Sequence, residues 1–194
     1  MSLVKKTAVV MALLVLGLAV LWGNVGYAYA DTGVDWSAVQ TDASDIYVQA
    51  QAIHAWAENV RVTAQQLAAV STNPETVALA EEIIQLAGQT EQDATTIMVT
   101  ARDINERIDH SEATTLRLSD DIGVMADRIG EMADRILWTE LQIGVMADRI
   151  VESEYLISSS ALTLSAQIKD SSDTMVATTY ALMNTLNHMK GLIG

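Results

Sequence analysis

The sequence predicts an all-α protein: an antiparallel helical bundle, or a long coiled-coil hairpin, with close packing through alanine and glycine. Three observations carry that expectation. Large apolar residues return at every seventh position through most of the chain, and seven is a period of packed helices rather than of strands. Alanines stand four residues after many of them, on the same helix face. Proline occurs once and phenylalanine not at all, whereas most sandwiches and barrels draw on more aromatic and turn-forming residues.

Residues 1–30 have the form of a cleaved signal peptide. Lys5 and Lys6 make a positive start, Thr7 to Leu21 is almost wholly apolar, and Ala28-Tyr29-Ala30 supplies the small-x-small cleavage pattern. The apolar run falls short of the roughly 20 residues a membrane span needs, and no cysteine follows it for lipidation. The expectation is an exported chain, periplasmic or extracellular, with no membrane span after cleavage and one helical domain over residues 31–194.

In that domain Val39, Ile46, Ile53, Val60 and Leu67 recur in sevens, with Ala43, Ala50, Ala57 and Ala64 four residues after the first four. One face therefore carries a large row beside an alanine row, over a helix near 36–71. Asn73-Pro74 closes that helix and starts the next, because proline is suited to the first helical turn. The second helix, near 75–109, resumes the period at Val77 and Ala80 and carries it through Ile83, Ala87, Ile97, Ala101, Ile104 and Ile108. Ser111 is the expected cap of a third helix near 112–152.

The third helix holds the strongest pattern. Met-Ala-Asp-Arg-Ile occurs three times, starting at Met125, Met132 and Met146, in the frame Ile122-GVMADR, Ile129-GEMADR, Ile136-LWTELQ, Ile143-GVMADR, Ile150-VESEYL. Gly123, Gly130 and Gly144 form a further small row. Glycine inside a helix costs about 1 kcal/mol relative to alanine, so three in register suggest a partner backbone pressed against them. Ser153 or Ser158-Ser159-Ser160 marks the last turn, before a helix near 155–190. The frame runs on to Leu164 and then slips by four to Ile168, Met175, Leu182 and Met189, which reads as a stutter within continuous helix. A single very long helix in place of the last turns is the rival arrangement; similar helix lengths favour the four-helix bundle.

Composition excludes several functions. The chain has 25 acidic and 11 basic residues, a net charge of −14, and loses Lys5 and Lys6 with the leader. Such a surface repels nucleic-acid phosphate and shows no basic patch to override the repulsion. Absence of cysteine excludes disulfides, zinc–thiolate centres and iron–sulfur clusters. No His-Glu-x-x-His, Glu-x-x-His, Gly-x-Ser-x-Gly or phosphate-binding glycine loop occurs. The adjacent carboxylates Glu81-Glu82 and Asp120-Asp121 sit at exposed or helix-start positions and lack the shielding of a general acid. Neither an enzyme nor a resident cofactor is expected.

Two functional readings follow. The first is an exported, non-enzymatic structural or interaction protein, acting by coiled-coil self-association or by binding another envelope protein. Its face comprises Ile122, Met125, Ala126, Ile129, Gly130, Met132, Ala133, Ile143, Met146 and Ala147. The second is a periplasmic bundle binding a soft metal such as copper, or a small ligand. Thioethers are ligands for Cu(I), and Met183, His188 and Met189 are the tightest soft-ligand group. The repeat methionines lie about 10 and 21 Å apart along one helix, too far to share an ion, and methionine is also a filler of irregular helix gaps. The Asp-Arg pairs fall on flanking positions where charge sets partner and register, with Glu131–Arg135 and Asp103–Arg107 as expected i, i+4 pairs. Trp36, Trp56 and Trp138 are expected to anchor a bundle end or an interface.

Overall fold

A computed structural model describes residues 33–110, 116–154 and 158–194. They form four helices: α1 (Trp36–Val70), α2 (Pro74–His110), α3 (Leu116–Glu154) and α4 (Ser159–Ile193). The leader, Ser111 and Ile157 lie outside the described residues. Each helix packs on its chain neighbours and α4 closes against α1, the ring of an up-down-up-down bundle. The all-α bundle expected from the sequence is the observed fold. Among the described residues no helix is long and apolar enough to cross a membrane.

Local chemistry sets the helix ends. Asp35 caps α1 by accepting from the Ala38 amide at 3.0 Å, which satisfies one of the unpaired first-turn donors. After α1, the Asn73 side chain accepts from the Glu75 amide at 3.0 Å, with Pro74 in the first turn of α2 as expected. Ser158 caps α4 through the Ala161 amide at 3.2 Å, so the serine run starts a helix. The slip in the heptad frame is therefore a helix break: α3 ends at Glu154, and α4 begins its own frame at Ala161. Helix is continuous across Leu164 to Ile168 as expected, but the phase changes in the turn before it and not by a stutter, because a turn changes phase as readily as an insertion does.

The core is a stack of the heptad rows. Val39, Ile46, Ile53, Val60 and Leu67 are fully buried, as are Ala43, Ala50, Ala57 and Ala64. On α2 the frame starts at buried Thr76 and not at Val77, and it includes Thr90 between Ile83 and Ile97. The Gln40–Asp109 and Arg61–Glu91 hydrogen bonds fix an antiparallel register that sets Ala50 level with Ala101 and Ala57 level with Ala94. Alanine row therefore meets alanine row between α1 and α2, where small side chains allow close approach.

On α3 the two rows have different partners. Arg135 and Arg149 reach Asp93 and Glu75 of α2, while Asp148 and Asp127 reach Lys169 and Lys190 of α4. The methionine row lies on the α2 side, where long flexible thioethers fill a wide seam. The alanine row lies on the α4 side, against Ser165, Ser172, Thr179 and Leu186. Ser165 Oγ donates to the Ala147 carbonyl at 2.7 Å, and Ser172 Oγ donates to the Glu140 carbonyl at 2.6 Å. These bonds show how near the two backbones lie.

Candidate functional site: the broken third repeat

Every member of the face expected to meet a partner except Gly130 is buried inside this bundle, between 0 and 9% exposed. While the bundle is closed, that face is occupied by the chain's own helices. Gly130 itself is half-buried. A methyl group placed there would sit 3.5 Å from Leu186 Cδ2 and 3.7 Å from Lys190 Nζ, and one at Gly123 would meet nothing within 4 Å. Among the described residues no neighbouring backbone presses on the glycine row. The expectation that it did was wrong, because the adjacent alanine row makes the close approach.

The soft-ligand group is not assembled. Met189 is buried in the core, Met183 is half-buried, and His188 is exposed; Met183 and Met189 point about 120° apart around α4. His188 Nδ1 lies 2.7 Å from Asp42 Oδ2 across the α1–α4 seam. Met125, Met132 and Met146 fill the α2–α3 seam one heptad or more apart. Among the described residues no group of three or more His, Asp or Glu side chains is placed to hold a metal.

Four members of the Asp-Arg pairs, Asp127, Arg135, Asp148 and Arg149, bind neighbouring helices. Arg135 grips Asp93 through two nitrogens at 2.7 and 3.2 Å, and Arg107 reaches Asp121 at 3.3 Å. The i, i+4 partners expected for them, Glu131 and Asp103, lost to carboxylates on the facing helix; Arg102–Glu106 at 3.6 Å is an i, i+4 pair that does form. Trp36 is buried at the start of α1 and Trp56 packs partly on the core, but Trp138 is 65% exposed.

The departures from regularity concentrate in one place, Ile136-LWTELQ. Where the other repeats place Met-Ala inward and Asp-Arg outward, this one places Thr139-Glu140 inward and Leu141-Gln142 outward, with Trp138 ahead of them. Outwardly, Trp138, Leu141 and Val145 form an exposed apolar strip. At its side, between α2 and α3, Thr139 is shorter than the methionine it replaces, and a groove opens there. Leu86, Gln89 and Gln92 line it from α2, and Arg135, Trp138 and Gln142 from α3.

Inwardly, Glu140 stands in the alanine row and is completely buried. Thr179 Oγ1 donates to Glu140 Oε1 at 3.0 Å, and Oε2 has no hydrogen-bond partner among the described residues. Burial pushes this carboxyl up from 4.5 to about 8, against the opposing pull of the Thr179 hydrogen bond. Glu154, also at an alanine position, is equally buried. Its Oε1 accepts from Ser71 Oγ at 2.6 Å, and Ser71 Oγ in turn accepts from the Asn73 amide at 3.1 Å. Glu154 thereby ties the α1–α2 turn to the end of α3. Sequence reading missed both glutamates; the signal was the break in the repeat, legible once alanine is recognised as the rule at that position.

No protein-family model, curated protein or solved structure matches this chain.

Proposed function

We propose that this protein is an exported, non-enzymatic interaction module that self-associates through the outward strip of α3. The exposed strip of Trp138, Leu141 and Val145 carries the reading. Trp138 presents a large apolar surface, 65% exposed among the described residues, and tryptophan is enriched at the centres of interfaces. Export rests on the leader pattern of residues 1–30. The closed Met-Ala face and the dispersed methionines give the copper reading no supporting geometry.

A second copy of the chain is the occupant that the charges favour. On the outward surface of α3, Asp127, Asp134 and Asp148 run along one side of the strip, and Arg128, Arg135 and Arg149 along the other. Two copies facing each other with their α3 helices parallel set each aspartate row against the other's arginine row. Asp134 and Arg128 make no ion pair among the described residues, so both are available for this. Glu131 and Glu152 bound the strip at its two ends, which limits the interface and makes the association weak and reversible.

The test is sedimentation velocity of the purified protein over a concentration series, with Trp138→Glu beside it. The expected result is a concentration-dependent dimer, lost in the variant while helicity and urea midpoint stay unchanged. A wild-type monomer at every concentration, or a dimer indifferent to Trp138→Glu, would refute the reading.

A further inference from the structure

We propose that Glu140 is a proton-operated catch on the α3–α4 seam: the seam stays closed while its carboxyl is neutral and loosens when the carboxyl ionises. The geometry is that of a group with no means to carry charge in place. Its carboxyl is fully buried, one oxygen takes a single neutral hydroxyl, and the other takes nothing among the described residues. A buried ionised carboxylate without a cation or several donors is strongly disfavoured.

Its surroundings on every side are uncharged. From α4 it meets Ser172, Met175 and Thr179, all buried. From α2 the register of the Asp93–Arg135 and Thr76–Ser153 contacts brings Thr90 to its level, and Thr90 Oγ1 is likewise buried and unpartnered among the described residues. From α1 the register brings Ala57 and Val60, both fully buried. The charged groups at this height, Asp93 with Arg135, Glu91 with Arg61, and Lys169 with Asp148 and Asp173, are paired with each other on the outer flanks. None of them contributes to the carboxyl's displaced titration, which burial dominates.

The seam it sits on is the one sealed by hydroxyls. Ser172 bonds the main-chain carbonyl of Glu140 itself, and Thr179 bonds its side chain. A carboxylate drawing water to itself there separates both contacts at once. The sign follows from linkage. An unfolded glutamate loses its proton near 4.5, and the buried one keeps it to about 8. Between those values the folded chain binds one more proton, so its unfolding constant rises about tenfold for each unit of pH. Below and above that window this contribution is flat.

The experiment is urea unfolding at pH 5, 6, 7 and 8 for the full chain and for Glu140→Gln, with hydrogen exchange of α3 and α4 amides. The wild type should lose stability by close to tenfold in the unfolding constant per pH unit more than Glu140→Gln does. At pH 9, α4 amides near Ser172 and Thr179 should lose protection in the wild type and keep it in the variant. Carbon-13 NMR of the wild-type glutamate carboxyls provides a measurement independent of whether the variant folds: one carboxyl should titrate well above the rest. Equal pH slopes in the two proteins, or no glutamate carboxyl titrating above about 6 in the folded wild type, would overturn the proposal.

Discussion

The regular repeats of α3 and its broken third repeat differ in how they assign inside and outside. In Ile122-GVMADR, Ile129-GEMADR and Ile143-GVMADR, the core takes Ile, Met and Ala, and the surface takes Asp and Arg, of which Arg135 and Arg149 pair with α2 and Asp127 and Asp148 with α4. In Ile136-LWTELQ only the isoleucine keeps its role. A carboxyl and a hydroxyl go inside, and Trp, Leu and Gln go outside. Both choices oppose the rule that apolar groups are buried and charges solvated. Such violations of consistency are expected at sites kept for something other than packing. The regular repeats hold the bundle together, and the irregular one bears both the exposed strip proposed to meet a second copy and the buried carboxyl proposed to act as a catch.

The largest effect should come from moving the irregularity into a regular repeat. Ala126 is fully buried in the same row as Glu140, and the α3–α4 register sets it level with Leu186, where no hydroxyl waits. Ala126→Glu puts a carboxyl there without a partner and overfills a close contact. The expected loss is of order 3–5 kcal/mol at pH 7, read as the shift in urea-unfolding free energy. If Ala126→Glu costs less than 1 kcal/mol, the alanine row tolerates carboxyls generally, and Glu140 occupies no special place.

The helices themselves were plain in the sequence, and the reason is physical. A heptad of Ile or Val with alanine four residues on determines both the helix and its buried face. The rows from Val39 to Leu67 and from Ile122 to Ile150 are accordingly buried where the spacing put them. Asn73-Pro74 marked its turn because both residues act locally. What spacing alone did not determine was the owner of each face. A row suited to meeting another helix reads the same whether that helix belongs to the same chain or a second one, and here it belongs to the same chain. Ion-pair choice failed for a related reason: Arg135 had Glu131 within its own helix, and a facing carboxylate, Asp93, offered better geometry. Glu140 escaped notice because a lone glutamate in an acidic helix looks solvated until its neighbours in the row on either side, Ala133 and Ala147, are found to be alanine.

A moderate effect tests whether the third repeat acts as a unit. Ser165 and Ser172 make the same hydroxyl-to-carbonyl bond one heptad apart. Each single change to alanine should cost about 1 kcal/mol. Combined with Glu140→Ala, the two should part company. Ser165→Ala should add to it, because Ser165 shares no partner with Glu140. Ser172→Ala should not, because both residues serve one contact, and coupling of at least about 0.5 kcal/mol is expected. Additivity in both double mutants would mean that Glu140 is an isolated defect with no hold on the seam.

The smallest effect concerns the glycines and should be a gain. Gly123 lies in helix with open space where a methyl group would go, and it is half-buried. Gly123→Ala should therefore stabilise the bundle by about 0.5–1 kcal/mol, through the smaller entropy lost by alanine on entering a helix. At Gly144 the added methyl would lie 3.4 Å from Lys169 Nζ and 3.5 Å from Ser172 Oγ, beside the hydroxyl that holds the Glu140 carbonyl. There the same propensity gain is set against crowding of that contact, so Gly144→Ala should fall below Gly123→Ala in thermal midpoint. A larger gain at Gly144 than at Gly123 would mean that the seam around Glu140 has room to spare. In that case ionisation of Glu140 would find water without parting the helices.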